Sequence, residues 1–180
     1  MIGSINDLRF HWNMPKGLKE TSSIIAISAE VTESAANTFT SQQVDLQLNP
    51  LDNEVFVVYG IDLDLEAPDL VGATTTVCRA SLSTTSRTAV GGLAQSNVLA
   101  SSRIETQEAG GAAVTNEYAS DSAPATMLEY LGIIATNDFF LNIQGSNNTD
   151  PKVMQARVYG VRARADSSVY AALVQSEILS

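Results

Sequence analysis

The sequence predicts an all-β chain folded as an antiparallel β-sandwich with one or two short helices. Three observations lead there: apolar and polar residues alternate over 44–48, 55–65 and 139–144, clusters of turn residues separate these runs, and helical spacing is confined to short stretches. At 180 residues, 44% of them hydrophobic and 17% charged, the chain carries enough apolar surface for one domain with a sizeable core.

Residues 1–22 bring together Phe10, His11, Trp12, Pro15, Lys16 and Lys19 without a strand or helix period, which marks an N-terminal arm. Residues 23–180 then form a single sandwich domain. A tryptophan is costly to leave in water. Phe10, Trp12, Lys16 and Lys19 are therefore the candidate interface residues, set to pack on the domain's flank or on a neighbouring subunit.

Ile24-Ile25-Ala26-Ile27 opens the first apolar run, and Val44, Leu46 and Leu48 alternate with Asp45 and Gln47 as in a half-buried strand. Asn49-Pro50 starts a turn. From 55 to 65 the odd positions Val55, Val57, Tyr59, Ile61, Leu63 and Leu65 are all apolar, while the even ones change from Phe56 and Val58 to Asp62 and Asp64. This predicts a strand covered on both faces early and wetted on one face late. Ala67-Pro68-Asp69 ends it, and the Thr-rich stretch 74–88 around Val77, Cys78 and Leu82 predicts another strand.

Residues 86–122 are dominated by small and polar side chains, with Gly91-Gly92 and Gly110-Gly111 as breakers, and predict long loops or short edge strands. Ser122 and Pro124 suit the start of a short helix through Met127, Leu128 and Leu131, stopped at Gly132. Phe139, Leu141 and Ile143 define a strand, the turn residues of 145–151 follow, and 153–165 reads as the returning strand of an antiparallel hairpin. After Ser167, Tyr170, Leu173, Val174 and Ile178 fall at helical rather than strand spacing.

Ten basic and twenty acidic residues give a net charge of −10, which repels phosphate and argues against direct contact with nucleic acid. Low charge among many Ser, Thr, Ala, Asn and Gln residues describes a surface that copies of the chain can bury at small desolvation cost, so a homo-oligomer is expected. The N-terminus has neither the basic nor the apolar region of a secretory signal, and no run approaches the ~20 apolar residues of a membrane span. Export by that route and insertion in a bilayer are not expected.

The chemistry-bearing residues are few. His11 and Cys78 are the only His and Cys, which leaves no set of ligands for zinc or an iron–sulfur cluster and no disulfide. No nucleophile elbow and no phosphate-binding glycine loop occurs. An enzyme is not expected. Asp62, Asp64 and Glu66 project at alternate positions from one strand face, and oxygen ligands of this kind suit Ca²⁺. The same carboxylates serve equally as a solvated strand end, or as partners for Lys or Arg across a subunit contact.

The layout of 54–66, 74–87 and 138–166, with a Gly/Ala/Ser-rich region and a short helix between them, resembles the single jelly-roll capsid proteins of small icosahedral viruses, and also the decoration (cement) proteins that clamp a phage head. The resemblance implies a virion location, a wedge of two four-stranded sheets, and a homo-oligomer, trimer or larger, built into a capsid lattice. It implies arms reaching into neighbouring subunits, for which 1–22 is suited. Genome-contacting relatives of this kind carry a basic terminus, and here only Arg9, Lys16 and Lys19 are available. A shell lying over a membrane or over a second coat protein fits better. A ligand- or glycan-binding sandwich linked to Ca²⁺ is the alternative.

Overall fold

The computed structural model describes residues 14–119 and 129–179. Among these, ten strands form two antiparallel sheets: β1 (Leu18–Glu20), β2 (Ile25–Thr32), β3 (Thr40–Asp45), β4 (Glu54–Leu65), β5 (Thr75–Ser83), β6 (Val98–Ala109), β7 (Ala112–Ala119), β8 (Gly132–Ile134), β9 (Asp138–Ser146) and β10 (Val153–Ala165). A 3₁₀ turn, Pro50–Asp52, precedes β4, and one α-helix, α1 (Ser167–Ile178), follows β10. The first sheet runs β2-β10-β4-β8, with β1 continuing the line of β2 along the far end of β10; the second runs β3-β9-β5-β6-β7.

From β2 to β5 the chain changes sheet at every connection, and it does so again from β8 to β10. Two interleaved sheets in the orders β2-β10-β4-β8 and β3-β9-β5-β6 make a jelly roll, to which β7 adds a fifth strand on one edge. The predicted antiparallel sandwich is therefore the fold.

The space between the sheets is filled with apolar side chains. Phe56, Ile61, Leu82, Phe139, Leu141, Ile143 and Met154 are all at most 1% exposed and belong to one cluster. Burying each contributes about 1.5–3 kcal/mol. Cys78 lies in the same cluster, where burial pushes its thiol up to about 12.

A second cluster lies on the outer face of the first sheet. Val55, Val57 and Tyr59 join Val161, Ala163 and Ala165 there, beneath Val169, Tyr170, Leu173 and Val174 of α1. Asp166 caps the helix, its carboxylate accepting from the Val169 N–H at 2.8 Å. The strand over 55–65 is covered on both faces early and wetted on one face late, as expected, but its odd positions do not keep to one face. Tyr159 pairs with Gly60 and Gly160 with Val58, which leaves Tyr59 as the extra residue of a β-bulge. Odd residues before the bulge point outward under α1, whereas Ile61 and Leu65 after it point into the core.

Three expectations are corrected. The region 86–122 holds β6 and β7, not only loops and short edge strands, because three of the inward residues of β6, Ala100, Ser102 and Thr106, are too small or polar to stand out as a strand pattern. Gly110-Gly111 joins the two strands as a hairpin turn, with φ of 63° and 85°, rather than breaking them. β9 and β10 are not a hairpin, since the 147–152 turn carries the chain from the second sheet to the first. The expected helix over 122–131 falls largely outside the described residues, and Gly132 opens β8.

Candidate functional site

The outer face of the first sheet is divided along its length. One end is covered by α1; the other is open and polar. Beyond the bulge, Ser28 and Glu30 of β2, Gln155 and Arg157 of β10, and Asp62 and Asp64 of β4 line a trough of about 480 Å³. The register sets the rows, with Ser28, Arg157 and Asp62 side by side and Glu30, Gln155 and Asp64 in the next. Gln155 donates to Glu30 at 2.9 Å and the Arg157 Nε to Ser28 Oγ at 3.3 Å. Three carboxylates against one guanidinium leave the trough acidic.

Of the residues singled out for Ca²⁺, Asp62 and Asp64 face this trough. Glu66 lies just beyond the strand, where it accepts from the Val153 N–H at 3.1 Å and stands 3.8 Å from the Lys152 ammonium. Among the described residues, no group of three or more His, Cys, Asp or Glu is placed to hold a metal ion.

At the same end of the sandwich, the arch between β9 and β10 is clamped by buried polar groups. Glu33, 3% exposed, accepts from the N–H groups of Gly145 at 2.6 Å and Lys152 at 2.9 Å. The Lys152 ammonium pairs with Asp69, whose other oxygen accepts from the Thr149 N–H and hydroxyl, each at 2.8 Å, and the Asp150 N–H at 3.1 Å. The Lys152 ammonium and these donors hold the Asp69 carboxyl well below the usual carboxylate range, against a smaller opposing effect of burial. Asn148 donates to the Val77 carbonyl at 2.9 Å and accepts from the Asp69 N–H at the same distance. Asn147, in the same turn, donates to the Thr75 carbonyl at 2.9 Å.

No known protein family and no curated protein matches the chain. Fold and surface chemistry therefore carry the functional reading.

Phe10 and Trp12 of the candidate interface lie outside the described residues, as does His11. Lys16 and Lys19 are exposed, and Lys19 sits within β1, paired in register with Arg164. Residues 18–20 of the expected arm are thus stitched to β10, and Met14 and Leu18 pack into the cluster under α1. The helix presents a second surface that sequence reasoning did not single out. Tyr170, Ala171, Val174, Ile178 and Leu179 line an apolar cleft of about 470 Å³, and Ile178 and Leu179 are 71% and 77% exposed. Glu177, a buried residue of the same helix, accepts from the Ala135 and Thr136 N–H groups at 3.0 and 2.8 Å and ties α1 to the β8–β9 connection.

Proposed function

We propose that the chain is a structural virion protein: a self-assembling jelly-roll capsid subunit that forms an icosahedral shell. The jelly-roll order of its two sheets is the observation that carries this reading. That architecture recurs in viral capsid, lectin and cupin domains. A cupin-like or ligand-binding role calls for an interior or mouth cavity lined by convergent polar groups. Here the space between the sheets is packed with Phe56, Phe139, Leu82 and their neighbours, and the trough and the α1 cleft lie on outer faces.

The apolar cleft on α1 and the low share of charged residues, 17%, suit a surface that becomes buried between copies. The net charge of −10 suits a shell held away from the genome by a second coat protein or an underlying membrane. Sedimentation velocity over a hundredfold range of concentration tests the reading. Growth into large discrete species supports it, and a monomer throughout overturns it.

A further inference from the structure

The outer face of the second sheet carries a feature at odds with the chain's overall acidity. Arg79 of β5 and Arg103 of β6 stand directly opposite each other in register, and Tyr118 of β7 continues the row. Like charges in directly opposed positions repel, so an anion between or above them is favoured. Among the described residues, the carboxylate paired with this row is Glu105. It is paired with Arg103 and receives a hydrogen bond from Gln107 at 2.6 Å. The Gln107 amide, then Arg103 and Arg79, hold the Glu105 carboxyl below its ordinary range.

Among the described residues, the Arg79 guanidinium makes no ion pair or hydrogen bond. Arg103 lies 5.7 Å from the centre of the Tyr118 ring, and its side chain is 41% exposed. Arg79, Arg103 and Tyr118 line a cleft of about 330 Å³ together with Gly91 and Gly92 of the β5–β6 connection. Two guanidiniums beside a single carboxylate leave this cleft with an excess of positive charge, which suits a second carboxylate.

We infer that this cleft docks the acidic trough of a second copy of the chain, with Arg79 and Arg103 entering between Glu30, Asp62 and Asp64. The trough has the complementary charge and lies on the outer face of the opposite sheet. The contact is therefore heterologous: each copy offers its cleft to one neighbour and its trough to another. Repeated, such a contact closes into a ring or runs as an open row. This inference rests on the self-assembly reading and deepens it by naming the surfaces that meet.

Charge reversal in two variants provides the test. Arg79→Glu/Arg103→Glu makes both surfaces acidic, and Glu30→Lys/Asp62→Lys/Asp64→Lys makes both basic. Circular dichroism and thermal melting establish that each folds. Light scattering of each variant alone is expected to show assembly displaced to at least about tenfold higher concentration, a 1:1 mixture is expected to recover it, and added salt is expected to weaken wild-type assembly. Should both variants assemble like the wild type, the contact is wrong while self-assembly stands. A wild type that remains monomeric overturns both. Failure of the mixture to recover assembly refutes the pairing of these two surfaces, as does saturable binding of inorganic phosphate at the cleft that leaves wild-type assembly unchanged.

Discussion

The ammonium of Lys152 ends on the Oδ1 of Asp69, and its side chain is only 3% exposed, so the charge is held inside the arch that carries the chain from one sheet to the other. An unpaired charge at such a position is strongly destabilising. Asp69→Asn keeps the shape and removes the counter-charge. It is expected to lower stability by about 2 kcal/mol at pH 7, measured by urea unfolding.

The same pair sets an acid limit. The folded-state pKa of Asp69 is depressed, so its contribution is present above the unfolded carboxyl value of about 4 and is lost as pH falls toward the folded value. The stability difference between wild type and Asp69→Asn is expected to shrink steadily below pH 4. A difference independent of pH would contradict the assignment.

Glu177 works in the opposite direction. Burial raises its carboxyl pKa, although the Ala135 and Thr136 N–H groups offset part of the effect. Its proton is held more tightly in the folded state, so this contribution is full below the unfolded carboxyl value and lost as pH rises through the folded one. Glu177→Ala leaves two inward N–H groups without this acceptor and is expected to cost about 2 kcal/mol below pH 4 and less at pH 7, measured by thermal melting.

Gly160 tests the bulge. A Cβ there would collide with the Val57 carbonyl oxygen and the Phe56 ring, where β4 carries its extra residue. Gly160→Ala is expected to destabilise by about 3 kcal/mol. A variant as stable as the wild type would show that the two strands do not approach as described.

At the β6–β7 turn the requirement is conformational rather than steric, since both glycines have positive φ and open space around them. Gly110→Asn is expected to be tolerated, because Asn enters the left-handed region readily. Gly111→Val is expected to cost about 1–2 kcal/mol, read from the denaturation midpoint.

Long, strongly patterned elements were legible in the sequence. The alternation of Phe139, Leu141 and Ile143 marks β9, and the helical spacing of Tyr170, Leu173 and Val174 marks α1. β6 was hidden because its inward residues Ala100, Ser102 and Thr106 are small or polar. The β9–β10 arch was mistaken for a hairpin because Gly, Asn, Asp and Pro serve both kinds of turn, and local sequence does not say which sheet receives the next strand. The bulge at Tyr59 inverted the meaning of a regular pattern without interrupting it. Asp62 and Asp64 were visible as a pair, whereas the row of Arg79, Arg103 and Tyr118 exists only once the register of three strands is known.

Electron microscopy of the purified protein, concentrated at low salt, tests the central claim most directly. Closed shells or their ring-like parts, built from repeated copies of the jelly roll, are the predicted result. A field of isolated single-chain particles at every concentration would contradict it.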